Sequence, residues 1–213
     1  MVHLFPIFIN LAGKNCLVIG GGQVAERKVE NLFSYDANIM VISPEAGENM
    51  RRWFNQGLID WQAREFIDSD LDHVFLVFVA TNDVLVNRGI VEQCRQRGIL
   101  VNAVDDPPNC DFYVPAVVRR NSLVVGISTE GKSPMFARKL REQLEELIGE
   151  EYGQFVDILG EQRDYIKQVI PDIETRKKVF QALVDSDILD LLKLGDGERV
   201  KERMEECMSS WRD

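Results

Sequence analysis

Residues 17–28 read Leu-Val-Ile-Gly-Gly-Gly-Gln-Val-Ala-Glu-Arg-Lys, a short apolar run followed by three glycines and a helical pattern. Gly20, Gly22 and Ala25 fall on the G-x-G-x-x-A spacing of a dinucleotide-binding turn. The first glycine permits a tight turn, the second lets the backbone approach a pyrophosphate, and the small alanine lets the helix pack closely on the strand. The helix N-terminus also favours phosphate through its N–H groups and dipole. The stretch therefore predicts a dinucleotide site, and the alternative is a purely structural glycine turn.

The composition is that of a globular protein with a sizeable core. The chain has 213 residues, of which 45% are hydrophobic, and a net charge of −10. No apolar run approaches the roughly 20 residues of a membrane span, and the acidic balance disfavours nucleic acid as a partner. The four cysteines form no C-x-x-C pair, and the first residues carry no secretory signal pattern. These features predict a cytoplasmic protein with reduced thiols and no membrane contact.

Strand and helix patterns alternate through the first half of the chain. The predicted strands are residues 16–19, 38–43, 58–62, 74–80 and 100–104, and helical stretches occupy residues 24–34, 47–54 and 86–97. This alternation predicts a parallel sheet with right-handed crossovers. Ligands on such a sheet bind beyond the carboxyl ends of the strands.

The pattern changes after residue 115. Strand-like residues 116–118 and 123–128 flank a turn at residues 119–122, and Ser133 and Pro134 are suited to the N-cap and first position of a helix. The remainder is helical and acidic.

The predicted fold is α/β, in three parts. A Rossmann-like, NAD-binding parallel sheet occupies residues 1–115. A small α+β dimerisation region follows at residues 116–148, and a C-terminal helical domain at residues 149–213 completes the chain.

Candidate cofactor-binding residues lie at or just after the ends of the first, second, fourth and fifth predicted strands. The second strand ends at Ser43, where a ribose-binding carboxylate is usual, and Glu45 comes two positions later. No arginine directly follows this strand, which favours NAD over a cofactor with a 2′-phosphate. Residues 80–83, at the end of the fourth strand, could line the cofactor, and the alternative is that they form a capped turn before a helix near Val84. The predicted set is Gly20, Gly21, Gly22, Gln23, Val24, Ser43, Pro44, Glu45, Ala80, Thr81, Asn82 and Asn102.

Two further features carry charge. Asp105 and Asp106 precede two prolines, which make a stiff loop that could present a base or bind a divalent cation; the alternative is a structural turn. Residues 116–141 carry six basic side chains and one acidic side chain within an otherwise acidic protein. This basic segment predicts a local anionic ligand, and the alternative is a solvated surface that bridges a dimer.

Six motifs in order resemble those of the precorrin-2 dehydrogenase/sirohydrochlorin ferrochelatase family, the first module of siroheme synthases. They are Phe5-Pro-Ile-Phe, Val18-Ile-Gly-Gly-Gly-Gln-Val-Ala-Glu-Arg-Lys, Ala80-Thr-Asn, Val101-Asn-Ala-Val-Asp, Phe112-Tyr-Val-Pro-Ala and Ile127-Ser-Thr-Glu-Gly-Lys-Ser-Pro. The resemblance covers nearly the whole chain. The chain departs from the family pattern at Thr129, where some relatives have serine, and at Glu130-Gly131, which replaces Gly-Gly.

The resemblance implies NAD-dependent oxidation of precorrin-2 to sirohydrochlorin by a homodimer. It makes Asp105 the leading catalytic carboxylate, and no stable metal site is expected. It leaves open whether the chain also inserts Fe²⁺ or Co²⁺, with Asp105 as a transient metal guide. The tetrapyrrole bears several carboxylates, so the predicted substrate-binding residues are Arg119, Arg120, Thr129, Lys132 and Arg138. The alternatives are a protein that works mainly as a metal chelatase and a non-catalytic NAD-sensing module.

Overall fold

The computed structural model describes residues 3–209, which form two compact units that divide between Val114 and Pro115. The outermost residues of the first and last predicted domains, 1–2 and 210–213, lie outside the described residues. The strands of the first unit are β1 Asn15–Ile19, β2 Asn38–Ile42, β3 Asp60–Gln62, β4 Leu76–Val79 and β5 Leu100–Ala103. Its helices are α1 Gln23–Leu32, α2 Glu48–Asn55 and α3 Val84–Gln96, with short 3-10 turns at Phe33–Tyr35, Asp68–Leu71 and Pro107–Asn109.

The five strands form one parallel sheet in the order β3-β2-β1-β4-β5. In the centre of the sheet, Leu17 of β1 lies opposite Met40 of β2 and Val77 of β4. Because every pairing is parallel, the carboxyl ends of all five strands meet at one edge. The order reverses at β1, and a crevice at such a reversal is the usual ligand site of this architecture. The predicted Rossmann-like parallel sheet is confirmed.

Two hydrophobic layers cover the sheet. On one side, Ala25 and Val29 of α1 share a buried cluster with Val18 of β1 and with residues of α2. On the other side, Ile90 and Val91 of α3 share a second buried cluster with Leu17 of β1 and Val77 of β4. Side chains alternate between the two faces along each strand, so these strand residues point away from α1. Burial on both faces explains why the central strands are almost continuously apolar.

The third strand is shorter than its sequence pattern predicts. It begins at Asp60 and not at Leu58. Gly57 adopts a left-handed φ of +71°, and the backbone N–H of Leu58 donates to the carbonyl of Trp53 at 3.0 Å. Residues 57 and 58 therefore close the end of α2 and are not available to the sheet.

The described part of the second unit, up to residue 209, is a hairpin followed by five helices. Its elements are β6 Ala116–Arg120, β7 Leu123–Ile127, α4 Pro134–Leu147, α5 Glu150–Val169, α6 Ile173–Val184, α7 Ile188–Lys193 and α8 Gly197–Ser209. The Ser133 hydroxyl accepts from the backbone N–H of Phe136 at 3.3 Å, so the predicted cap of α4 is confirmed. None of the helices within residues 3–209 is long and apolar enough to cross a bilayer.

The predicted turn at residues 119–122 is wrong in its first half. Arg119 and Arg120 belong to β6, where they lie opposite Val124 and Leu123. The turn is confined to residues 121 and 122, and Asn121 has a φ of +47°. Asparagine tolerates this left-handed conformation, which allows the tighter hairpin.

Candidate active site

The glycine turn after β1 is held between two neighbouring loops. Gly20 has a φ of +128°, and a Cβ at this position would overlap with the carbonyl group of Ala80. A Cβ on Gly21 would likewise overlap with the carbonyl oxygen of Glu45. Gly20 therefore meets both requirements for glycine, a left-handed backbone and close packing, whereas Gly21 meets the second.

Gly22 differs from its two neighbours. It is the N-cap of α1, with a φ of −84°, and a Cβ added here would meet no atom within 4 Å. As a glycine it has no side chain to accept from the first-turn N–H groups, which are therefore available to an anion. The position fits a diphosphate, because a bare backbone borders open space at a helix N-terminus.

An open cavity of about 880 Å³ lies at this edge of the sheet. Its walls come from the ends of β1, β2 and β4 and from the segment after β3. Most of the predicted cofactor-binding residues line it, namely Gly20, Gly21, Gly22, Ser43, Pro44, Glu45, Ala80, Thr81 and Asn82. The topology thus brings three sequence-distant groups to one cavity.

Three predicted cofactor residues do not line this cavity. Gln23 and Val24 lie on exposed positions of α1. Asn102 is only 7% exposed, and its side-chain amide donates to the carbonyl of Phe112 at 2.8 Å. In this structure Asn102 therefore fastens the following loop to β5.

The end of β2 is organised by a tryptophan. The indole N–H of Trp61 donates to the carbonyl and to the hydroxyl of Ser43, each at 3.2 Å, and Ser43 is buried. The neighbouring Glu45 is exposed and lines the cavity. Glu45 is consequently the acidic group at the end of β2 that could accept hydrogen bonds from ribose hydroxyls.

The sequence pattern misses a second stretch of the cavity wall. Arg64, Glu65 and Phe66 follow β3 and line the cavity, as does Arg51 of α2. Since β3 has only three residues, its end is hard to place from the sequence. The one feature of the sequence that could have indicated Arg64, Glu65 and Phe66 is their position directly after the third predicted strand.

Asp105 lies on a closed loop after β5, outside the residues that line the cavity. It is exposed and has a φ of +59°, an uncommon conformation for a residue other than glycine. Next to it, Asp106 accepts from the side-chain amide of Asn109 at 2.8 Å. The N–H of Asp111 then donates to the Val101 carbonyl at 2.8 Å, which folds the chain back onto β5. The loop thus presents Asp105 on an exposed, well-defined turn.

Lys28 is a neighbour of Asp105 that the sequence pattern does not single out. It is half-buried on α1, and its Nζ lies 5.3 Å from the ring centroid of Phe78. Burial lowers the pKa of the Lys28 ammonium, and the charges of Cys110 and Asp105 partly offset this effect. Lys28 therefore contributes positive charge to the surroundings of the Asp105 carboxylate.

The basic segment is largely engaged within the second unit. The Arg120 guanidinium donates to the carbonyls of Ile148 and Glu145 at 2.9 and 3.0 Å and pairs with Glu150 at 3.3 Å. Arg138 pairs with Glu142 at 3.0 Å while its side chain remains 75% exposed. Arg120 therefore joins the hairpin to the α4–α5 junction, whereas Arg138 is accessible.

The remaining predicted substrate-binding residues lie in the loop before α4 and on β6. The Thr129 hydroxyl accepts from the N–H of Ser133 at 3.1 Å, and Lys132 pairs with Glu130 at 3.5 Å. Arg119 lies on β6. Substrate contacts of all these residues stay predictions.

A parallel sheet of this order, with a glycine turn opening onto a cavity at the carboxyl ends of its strands, defines a dinucleotide-binding protein of the Rossmann class. Family models match most of the chain, and the model that matches its first half agrees with this assignment. A family described as putative NAD(P)-binding matches residues 7–116, the sirohaem biosynthesis protein central region matches residues 120–147, and the sirohaem synthase dimerisation region matches residues 151–208. The chain belongs to the family described as putative NAD(P)-binding, and the matches to the two sirohaem regions confirm the predicted resemblance.

Individual relatives support the same family. Siroheme synthase of Nitrosococcus oceani is 35% identical over 97% of this chain, and siroheme synthase 1 of Pectobacterium atrosepticum is 34% identical over all of it. The chain spans 44% of the length of each of these two relatives. Among solved structures, "SirC, precorrin-2 dehydrogenase" is 26% identical, with a TM-score of 0.76 over 95% of this chain and 100% of that chain.

Proposed function

We propose that this chain catalyses the NAD-dependent oxidation of precorrin-2 to sirohydrochlorin in siroheme biosynthesis. The observation that carries the proposal is the match to the solved precorrin-2 dehydrogenase along that protein's whole length. The open space at Gly22 supports it independently, because the structure leaves room for a diphosphate beside the helix N-terminus.

The cavity residues fit NAD. Gly20, Gly21 and Gly22 would hold the diphosphate, and Glu45 would bind ribose hydroxyls. Residues 80–82 would border the nicotinamide half, since β4 lies on the opposite side of β1 from β2. When bound, NAD⁺ supplies the hydride acceptor. The protein's part is to orient the two reactants and to exclude competing geometries.

Asp105 is the proposed catalytic base. Oxidation removes one hydride and one proton from the tetrapyrrole, and an exposed carboxylate at the carboxyl edge of the sheet can accept the proton. The Lys28 ammonium adds positive charge to the surroundings of this carboxylate. The predicted substrate-binding residues of the second unit, Arg138 foremost because of its exposure, would receive carboxylates of the macrocycle.

Metal insertion is the second candidate, because the curated relatives are named for siroheme. Fe²⁺ or Co²⁺ would then be a substrate. Within residues 3–209 no group of three or more His, Cys, Asp or Glu side chains is arranged to hold a metal ion. Transient guidance by Asp105, together with removal of the pyrrole protons, would be the protein's contribution.

We also propose a homodimer that works in the cytoplasm. A family model described as the sirohaem synthase dimerisation region matches residues 151–208, which supports a dimer, whereas the sequence pattern predicts the dimer contact in residues 116–148. The three-part domain division likewise stays a proposal. None of the cysteines at positions 16, 94, 110 and 207 forms a disulfide, which fits a protein from a reducing compartment.

Matched aspartate variants test the proposed base. Asp105→Asn keeps the shape of the side chain, and asparagine tolerates the left-handed backbone at this position. We expect NAD affinity within about twofold of the wild type and a loss of oxidation of about a hundredfold or more. Asp106→Asn is the control and should retain most of the activity. Equal activity of the Asp105→Asn variant and the wild type would exclude Asp105 as the base.

A further inference from the structure

The segment after β3 borders one particular part of the cavity. The strand order places β3 beside β2 at the edge of the sheet, away from β4. In this architecture the end of β2 receives the ribose of the adenosine half. Arg64, Glu65 and Phe66, which line the cavity beyond β3, therefore form the wall at the adenosine end.

The guanidinium in this wall is held by a buried carboxylate. Arg64 makes a bidentate pair with Asp70, with Nη1 to Oδ2 at 2.7 Å and Nη2 to Oδ1 at 2.6 Å. It also donates to the carbonyl of Glu65 at 2.9 Å and to the side chain of Gln62. Asp70 is only 7% exposed, and its Oδ2 accepts from the N–H of Ile67 at 2.9 Å as well. Such paired, charge-assisted hydrogen bonds fix the orientation of both groups.

The charge balance of the cavity follows from this pair. The charged residues that line it are Glu45, Arg51, Arg64, Glu65 and Asp83. Arg64 is neutralised by Asp70. Arg51 keeps its positive charge, because its Nε donates to the uncharged carbonyl of Ala46 at 3.0 Å. Glu45 and Glu65 are exposed. The adenosine end thus offers carboxylates that can accept from ribose hydroxyls and that repel a phosphate.

We propose that Asp70 determines the dinucleotide specificity of this site. By holding Arg64 in the wall, Asp70 makes the cavity select a dinucleotide with a free ribose 2′-hydroxyl and reject one with a 2′-phosphate. Asp70 is a positioning residue, because it acts through Arg64. The inference rests on the proposed dinucleotide binding and adds the residue that sets its selectivity.

Titration calorimetry with NAD⁺ and NADP⁺ tests the inference on the full chain. We expect the wild type to bind NAD⁺ at least about tenfold more tightly. Asp70→Asn keeps an acceptor for the Ile67 N–H but releases the charge of Arg64. It should therefore raise NADP⁺ affinity by about tenfold, while NAD⁺ affinity changes by less than about threefold. The double variant Arg64→Met with Asp70→Asn should lose this gain.

Asp72→Asn is the matched control. Asp72 lies two residues further along, pairs with Arg97 at 2.9 Å on the surface, and does not line the cavity. It should leave both affinities unchanged. If Asp70→Asn does not fold, Arg64→Gln provides the second test. We expect this variant to keep the NADP⁺ affinity of the wild type, because the Arg64 guanidinium paired with Asp70 should contribute nothing to NADP⁺ binding.

Several results would overturn the inference. They are equal affinities of the wild type for the two dinucleotides, a folded Asp70→Asn variant with unchanged NADP⁺ affinity, and a loss of NADP⁺ affinity in Arg64→Gln. Tight and selective NAD⁺ binding without oxidation of precorrin-2 would refute the proposed reaction and leave the role of Asp70 standing. Binding of neither dinucleotide would overturn both.

Discussion

The backbone N–H of Gly47 donates a hydrogen bond of 3.1 Å to the carbonyl oxygen of Gly21. This bond joins the loop after β2 to the turn after β1. Nearby, the Glu26 carboxylate of α1 accepts from the side-chain amide of Asn49 at 3.2 Å. The two loops therefore form one wall of the cavity. In the glycine turn, we expect substitution of Gly22 to affect cofactor binding and substitution of Gly20 or Gly21 to affect stability.

Gly22→Ala should weaken cofactor binding without unfolding the protein. The φ of −84° suits alanine, and the new Cβ would occupy open space where we expect the diphosphate. We expect NAD affinity to fall by at least about tenfold, with the melting temperature within about 2 °C of the wild type. Calorimetry and thermal denaturation measure the two effects.

The neighbouring glycines provide the contrast. Gly20→Ala and Gly21→Ala would place a Cβ against the carbonyl groups of Ala80 and Glu45. Both variants should lower the free energy of unfolding by about 3 kcal/mol. Undiminished NAD affinity in a folded Gly22→Ala variant would contradict the proposed position of the diphosphate.

Lys28→Met should slow catalysis and leave NAD binding intact. Methionine keeps apolar contact with Phe78 but removes the positive charge near Asp105. We expect kcat to fall by about tenfold, with NAD affinity within about twofold and Lys28→Arg restoring most of the rate. The control is Lys14→Met, because Lys14 makes a similar contact with Phe75 at 5.5 Å. Equal rates for the two methionine variants would count against a role for Lys28.

Arg120→Met should destabilise the second unit. The change removes the hydrogen bonds to the carbonyls of Glu145 and Ile148 from a side chain that is only 16% exposed. We expect a loss of about 2–3 kcal/mol in the free energy of unfolding. Arg138→Met should cost less than about 0.5 kcal/mol, because its ion pair is exposed. Denaturant titration followed by circular dichroism compares them, and equal losses would contradict the assigned structural role of Arg120.

Alkaline pH should destabilise the first unit. Burial raises the pKa values of the Cys16 and Cys94 thiols from 9.0 to about 11. Because the folded values lie above the unfolded value, this stability is fully present below pH 9 and is lost as the pH rises to about 11. We expect a loss on the order of 2 kcal/mol per thiol. Tryptophan fluorescence can follow unfolding mainly of this unit, since two of the three tryptophans, Trp53 and Trp61, lie in it.

A cysteine variant tests the origin of this effect. Cys94→Ala should show a shallower decline in stability across the same pH interval, because one titrating thiol has been removed. Cys207→Ala, in the second unit, should decline like the wild type by this probe. Identical declines of all three proteins would show that the buried thiols are not responsible.

Local patterns were sufficient to predict the sheet and most of the cavity. Leu17, Val18 and Ile19 are buried from both sides, so their apolar run identifies the central strand. Gly20 has a backbone angle that favours glycine, so the need for this residue is visible in the sequence as the G-x-G-x-x-A spacing after the strand. The predicted cavity residues share one property, which is that each follows a strand with a clear hydrophobic pattern.

Tertiary contacts account for what the patterns could not predict. Asn102 lies within β5, and its side chain donates to the carbonyl of Phe112 in the returning chain and not to a ligand site. Arg64 is held in the wall by a pair of hydrogen bonds to Asp70 of the next turn. Arg120 carries a charge that suggested a ligand, whereas helix carbonyls remote in sequence receive its hydrogen bonds. These pairings depend on the folded arrangement and leave no local signal.

The decisive measurement follows the absorbance of NADH and of the tetrapyrrole together when the purified wild-type chain receives precorrin-2 and NAD⁺ without added metal. We expect one NADH for each sirohydrochlorin formed, and no conversion when NAD⁺ is left out. Tetrapyrrole oxidation at the same rate without NAD⁺, or unchanged spectra with both reactants bound, would contradict the proposed dehydrogenase.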